Sequence, residues 1–426
     1  MLSIASVAIG MVGGSYLSDR FGRKIMCIVP CILTSLFGVC QAFSVNAVMY
    51  AATKIFCAIF SSAIFSPVYT LMMESVSTGR RSHVLNGLAF CWIAGTASLS
   101  LIAYLFKSWW KTQLFCSAPG IAIGFLFIWT LDESPHWSVT KGKTKEALAV
   151  LEKMARWNRV DTDGLSFDPS SYSDAETDKK ELDSRESFLR IWVHKRIVVR
   201  FLIFSYGWFV CSMCYYALSF GVRELPGDIY INNLISAVAE ALAYLACFVI
   251  AWWGRKWPTI ISFVGGAIAL LVQALLIKFA AAGLAVTSLS MLGKLFITAA
   301  WQIIIIWETE LYPTTHRCIL SALNSLVGRG GAILAPFILD MDRFLHVPNI
   351  ELIMPITFVI MMVIGGFLHL IPPETNRRRL PEFIKEANKT EFPLELVGDG
   401  SHSQKDELES GADEDLLEAE KREQKQ

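Results

Sequence analysis

The feature that most limits what this chain can fold into is a succession of about eleven apolar runs, each close to the ~20 residues an α-helix needs to cross a bilayer. They fall approximately at residues 1–17, 25–43, 48–73, 84–106, 112–131, 197–220, 229–252, 257–279, 284–307, 317–339 and 352–371. A chain of 426 residues with mean hydropathy +0.45, 27 Phe and 13 Trp carries more apolar surface than one soluble core can hide. It reads as an all-α, multi-pass membrane protein in contact with lipid. The basic loops are DRFGRK (19–24), TGRRS (78–82), the long segment 132–195, GRK (254–256), Arg317 and NRRR (376–379). All fall on one face, which the positive-inside bias makes cytoplasmic together with the C-terminus. KSWWK (107–111) is an exception on the opposite face. An odd number of spans puts Met1 outside, and no basic stretch precedes the first apolar run as a signal peptide would require.

The formal net charge is zero, which leaves no footprint for nucleic acid or another polyanion. The ten Cys lie almost wholly inside apolar runs and read as reduced, buried small hydrophobes. Cys211 and Cys214 form a lone CxxC without a His cluster nearby, so neither a metal nor a cofactor is expected.

An internal comparison organises the chain. Gly22, Arg23 and Lys24 recur as Gly254, Arg255 and Lys256, 232 residues later. Glu74 and Arg81 recur, with the same spacing, as Glu310 and Arg317 at an offset of 236, and Glu133 beside Pro135 is echoed by Pro373 and Glu374 at 241. Three landmarks in one order at nearly one offset point to two homologous halves. The expected division is an N-terminal half over 1–131, a cytoplasmic loop over 132–195, a six-helix C-terminal half over 196–371 and a cytoplasmic tail over 372–426. Five helices precede the loop and six follow it. GRK lies between the first two helices of one half and between the second and third of the other. Relative to the second half, the first is expected to lack its first helix.

At this point the residues carry a resemblance. GGSYLSDRFGRK (13–24) resembles the signature loop after the second helix of major facilitator transporters. DESPHW (132–137), LPGDIYINNLISAVAEALAY (225–244), LGKLFITAAWQ (292–302), ETELYPTTHR (308–317) and GRGGAILAPF (328–337) together resemble the organic cation, organic anion and carnitine transporter family. The resemblance spans Ser15 to about Pro381. It implies a major facilitator fold and a twelve-helix secondary transporter with a large extracellular loop after its first helix; here that helix and loop are expected to be absent. Departures include His136 where the family usually has Arg, Lys54 for an Arg, and Leu320 and Ala322 where relatives tend to show glycine.

Chemistry in such a chain is recognition and gating. Asp19 can accept from Arg23 or cap a neighbouring helix, and Glu74 with Arg81 offers a second pair; such pairs can break and remake as two halves rock. The resemblance assigns Asp19, Arg20, Arg23, Glu74 and Arg81, with Glu310 and Arg317 in the second half, to a cytoplasmic gate. The alternative is that these charges only hold loops inside.

Ionisable residues inside spans cost about 2.5–3.5 kcal/mol on insertion scales, so each needs a partner or a cavity. Arg329 lies about ten residues, some 15 Å by helical rise, from either end of its run, flanked by Gly328, Gly330 and Gly331. A guanidinium there can hold a carboxylate bidentately, or be satisfied by helix carbonyls or an internal acid. The resemblance tilts toward the first, because relatives favouring anions or zwitterions carry Arg at this position and those favouring cations an acid. Glu240 and Lys294 are either a structural ion pair or a site in which Glu240 meets a substrate ammonium, sodium or a proton while Arg329 takes a carboxylate. Tyr206, Trp208, Tyr215 and Tyr216 on one helix and Trp301 with Gln302 on another can wall a cationic group, or simply pack.

Outside the membrane, residues 133–158 read as a surface helix, 161–185 as polar and flexible, and the acidic tail after about 391 as mostly disordered and suited to partner binding or trafficking. The sequence therefore predicts a plasma-membrane transporter of small organic ions, zwitterions or anions of carnitine-like or carboxylate type, working by alternating access, with sodium or a proton as candidate coupling ion. Two alternatives stand: a truncated, transport-inactive regulatory or interaction isoform, and an organic cation transporter. No nucleophile, base and orienter set converges in the spans, so an enzyme is not expected.

Overall fold

The computed structural model describes residues 2–76, 81–159, 191–250, 253–279, 283–313, 316–339 and 350–376. Among them the regular structure is helical. Five long helices form the first half: α1 (Leu2–Phe21), α2 (Arg23–Ala42), α3 (Ala47–Glu74), α4 (Arg81–Phe106) and α5 (Trp109–Thr130). Two short ones follow, α6 (Pro135–Thr140) and α7 (Thr144–Trp157). Six long helices form the second half: α8 (Lys195–Gly221), α9 (Ile229–Ile250), α10 (Lys256–Lys278), α11 (Gly283–Leu311), α12 (Arg317–Leu339) and α13 (Ile350–Leu368). Eight of these are long and apolar enough to cross a membrane by length and composition, and Phe90–Phe106 of α4 and Pro355–Leu368 of α13 are shorter apolar stretches.

The long helices are apolar nearly all round, as segments solvated by lipid must be, and they keep prolines (Pro30, Pro67, Pro119, Pro336 and Pro355) that a water-exposed helix rarely tolerates. Their ends follow local chemistry. Asn46 caps α3 by accepting from the Met49 N–H at 2.7 Å, and Ser134 caps α6 through the Trp137 N–H.

Two boundaries differ from the sequence expectation. The charge knot is largely helix: α1 runs on through Asp19 and Arg20 to Phe21, with Arg20 in the last turn complementing the carbonyl end. The break comes at Gly22, whose φ of +105° a side chain would resist. The surface helix expected over 133–158 is likewise two helices, parted where Gly142 adopts φ +74°.

The halves repeat. In the first, α3 packs on α1 and α2, and α2 on α5; in the second, α11 packs on α9 and α10, and α10 on α13. Across the halves α4 meets α9, and α1 meets α12, an exchange expected of two repeats related by a pseudo-two-fold axis. The largest buried cluster belongs to the second half, where Phe204, Phe263, Ile297, Trp307, Tyr312 and Phe358 interlock around α8.

Candidate functional site

Two clusters of charge lie at corresponding ends of the halves, and each is built the same way. At the start of α2 the backbone N–H groups of Arg23 and Lys24 donate to Glu133 Oε1 at 2.8 and 3.2 Å. At the start of α10 the N–H groups of Arg255 and Lys256 donate to Glu374, at 2.8 Å to Oε1 and 3.0 Å to Oε2. A carboxylate from the segment after each half's last long helix thus caps the helix that follows the GRK glycine, where unsatisfied N–H groups favour negative charge. Gly22 and Gly254 (φ +105° and +100°) leave room for it; a Cβ on either would strike the carboxylate.

The arginine side chains then reach inward. Arg23 Nη2 lies 3.3 Å from Glu74 and 3.1 Å from Asp19, and Arg255 Nη2 lies 3.0 Å from Glu310, which also accepts from the Thr375 hydroxyl. The sequence landmarks therefore converge in space twice over. Asp19 joins from the exposed side, with 74% of its side chain accessible, whereas Arg20 turns out of the cluster and lies over the Phe21 ring. Arg317 donates to the Tyr312 carbonyl at 3.3 Å. The side chain of Arg81 lies outside the described residues, as do the segments 161–185 and 391–426.

Near the middle of α9 and α11, Glu240 and Lys294 form an ion pair at 2.8 Å with both side chains 5% exposed or less. The ammonium also donates to Ser236 Oγ, the Tyr215 hydroxyl donates to Glu240 Oε1 at 3.1 Å, and the Lys294 Nζ stands 5.0 Å from the centre of the Tyr215 ring. Each charge is thereby satisfied internally, the condition under which a buried pair is tolerated. Tyr215 meets Trp301 edge-on at 5.5 Å and Trp301 meets Trp208 at 5.7 Å, giving a continuous aromatic wall. Gln302 donates to the Tyr244 hydroxyl at 3.0 Å. Tyr206 stands apart from that wall, its hydroxyl donating to the Met361 carbonyl of α13.

Arg329 is different. Half-buried on α12, its guanidinium has the Met11 thioether of α1 at 3.5 Å and, among the described residues, no acidic partner. Its helix is held close to α8 by small residues: Gly328 lies against Trp208, and a Cβ on Gly331 would strike the Phe209 carbonyl. Arg329 therefore projects at the seam between the halves, one residue from a contact with the aromatic wall. The apolar cleft of about 220 Å³ between α3 and α4, lined by Ser61, Ile64, Phe65, Val68, Tyr69 and Leu88, holds none of these charges.

A family model described as the Major Facilitator Superfamily matches residues 1–336. The chain belongs to that superfamily. Its relatives place it in the organic cation, organic anion and carnitine transporter family. Solute carrier family 22 member 15 of Xenopus tropicalis is 30% identical over 390 residues, covering 89% of this chain and 70% of its own length. Solute carrier family 22 member 16 of Homo sapiens is 30% identical, with 92% and 67% covered. Organic cation/carnitine transporter 2 of Mus musculus is 30% identical, with 79% and 61% covered. Among solved structures the proton:xylose symporter XylE superposes with a TM-score of 0.67 at 18% identity, over 91% of this chain and 88% of its own, which supports the fold alone. The protein is an integral membrane transporter of the solute carrier 22 type rather than an enzyme.

Four residues that matter in this geometry were not singled out as site residues by sequence reasoning. Glu133 and Glu374 stood out as repeat landmarks, but their capping role needs contacts across about 110 and 119 positions. Glu308 and Asn324, a buried polar pair between α11 and α12, are joined at 2.6 Å. The available signal for Glu308 was an acid at the end of the apolar run IIIIW.

Proposed function

We propose that the chain carries small carboxylate-bearing organic ions, zwitterions of carnitine type or simple anions, by alternating access, with Arg329 holding the carboxylate. The observation that carries this reading is the contrast between two intramembrane cations. Lys294 is neutralised by Glu240 at 2.8 Å, while Arg329, at the seam of the halves, has no acid beside it among the described residues. A guanidinium left uncompensated in a low-dielectric setting is costly, and a carboxylate that it can grip bidentately removes that cost. A quaternary ammonium on the same molecule would face Trp208, Trp301 and Tyr215, whose rings suit a cation.

The paired charge clusters at the ends of α2 and α10 act as the gate in this reading. Each joins one helix start to the end of another helix and to the segment after the last within its own half, so shifts of these helices against one another as access alternates break and remake them. The gate end faces the cytoplasm with the C-terminus, by the bias of basic loops, and the membrane is the plasma membrane. No observation favours a transport-inactive role.

The test is uptake of labelled carnitine, a dicarboxylate and a quaternary amine into proteoliposomes containing the purified chain. Accumulation or exchange of a carboxylate-bearing probe is the expected result. Uptake of the amine alone would replace this reading by that of a cation carrier, and uptake of none by correctly folded protein would overturn it.

A further inference from the structure

Between α8, α11 and α12 lies a polar cluster that borders the aromatic wall through Trp208 and whose carboxyl neither the gate nor the Arg329 site uses. Glu308 at its centre is fully buried. Its Oε2 accepts from the Trp208 indole N–H at 2.9 Å and from the Asn324 amide at 2.6 Å; Asn324 also donates to the Tyr312 hydroxyl and accepts from Ser205 Oγ–H, each at 2.7 Å. Oε1 accepts neither of these bonds, and the polar group beside the carboxyl on α12 is the hydroxyl of Ser321.

No cation compensates this carboxyl among the described residues. From α8 it is faced by Trp208 and Ser205, from α12 by Asn324 and Ser321, and from its own chain by Tyr312. Arg255, at the start of α10, is engaged with Glu310 and Glu374, and Arg317 donates to the Tyr312 carbonyl. His369, after α13, packs on Phe204 and Trp307 and directs Nδ1 to the Gly365 carbonyl at 2.7 Å. An ionised carboxylate sealed among neutral groups is far costlier than a neutral one. A proton on Oε1 removes that charge and gives the carboxyl a donor of its own toward the neighbouring Ser321 oxygen.

We propose that Glu308 is a proton-binding site, filled while α12 is closed on α8 and emptied to water when the two helices part, so that transport draws on a proton gradient. Asn324, its direct partner, is five residues before Arg329 on the same helix, about 7.5 Å along the axis. A shift of α12 that changes the surroundings of Arg329 therefore also disturbs the Asn324 bond to Glu308. In each cycle one proton would be taken from the aqueous side that loads substrate and released to water on the other. The inference rests on the transporter reading for its coupling and on the cluster alone for its proton.

Two measurements on the full chain separate these. In the infrared spectrum at neutral pH, the wild type minus Glu308→Gln difference should contain the C=O stretch of a protonated carboxylic acid that shifts in D2O. Followed in wild type alone, that band should disappear as the pH is raised, so the test survives a variant that fails to fold. In proteoliposomes, a gradient of one pH unit, acid outside, should raise steady-state accumulation of a transported probe up to about tenfold for one proton per substrate. Glu308→Gln, whose amide oxygen can keep the Trp208 and Asn324 bonds, should lose this response, and Glu224→Gln, an exposed acid outside the cluster, should retain it. A missing band, a wild type indifferent to the gradient, or a Glu308→Gln variant that still follows it would overturn the proposal. If none of the probes is carried, the transporter reading fails and the band alone decides whether Glu308 holds a proton.

Discussion

The two halves share a scaffold and differ in what they enclose. Both cap a helix with a distant carboxylate, both set an arginine at the start of that helix against an acid at the end of the next, and both share their main helix pairings. Yet the membrane interior of the second half contains Lys294, Glu308, Asn324 and Arg329, whereas 236 residues earlier stand Ala58, Met72, Leu88 and Ile93. At these four positions the charged and amide side chains stand in one half only, on a frame that both halves share. A second difference follows α12, which lies along α8; its counterpart α4 touches α3, α5 and, across the halves, α9, with no helix running along it as α8 does along α12 among the described residues.

The sharpest way to break the first comparison is to remove one cation from a long helix of each half, the buried Lys294 and the exposed Lys54. Lys294→Ala leaves Glu240 buried and unpaired, and about 3–5 kcal/mol of stability should be lost, read as a large drop in melting temperature in detergent. Lys54→Ala on the exposed side of α3 should stay within about 0.5 kcal/mol. Comparable losses would mean that the first half hides a charge network of its own. The caps come next: Glu133→Ala and Glu374→Ala should each cost about 1–3 kcal/mol, and by similar amounts, because each strips the same N–H groups of their acceptor. A marked inequality would show that the repeats bear load differently.

The second comparison is tested by glycines in register. Gly331→Leu must push α12 off the Phe209 carbonyl and should destabilise by about 1–3 kcal/mol. At Gly95, its equivalent in α4, a Cβ meets nothing within 4 Å, so Gly95→Leu should change stability by about 0.5 kcal/mol or less. Equal damage at both would reveal that the flank of α4 is occupied in the folded protein.

Much of this architecture was legible in the residues. The apolar runs gave the eleven helices and their five-plus-six grouping, because a lipid-solvated helix writes its length directly into composition. The recurrence of Gly22–Lys24 as Gly254–Lys256 and of Glu74 as Glu310 anticipated two corresponding charge clusters, although the spacing paired Glu74 with Arg81 and the structure sets it against Arg23. Convergence was harder to read. That Glu133 caps α2 depends on α5 and the turn after it returning beside Gly22, and nothing local records such a return. The fate of Glu240 and Lys294 stayed open for the same reason: pairing is set by the rotation of α9 against α11. Glu308 escaped notice because a carboxyl near the end of an apolar run looks like an interfacial residue until Trp208 and Asn324 close over it.

The claim at the centre of this account is that Arg329 is the cation left for the substrate. Initial uptake of a carboxylate-bearing probe and of a quaternary amine, compared in proteoliposomes of wild type and Arg329→Ala, tests it most directly. The loss of charge-assisted hydrogen bonds, about 1.5–3 kcal/mol, predicts a fall of roughly ten- to a hundredfold for the carboxylate and a much smaller change for the amine. Equal loss for both probes would contradict it and make Arg329 a structural residue.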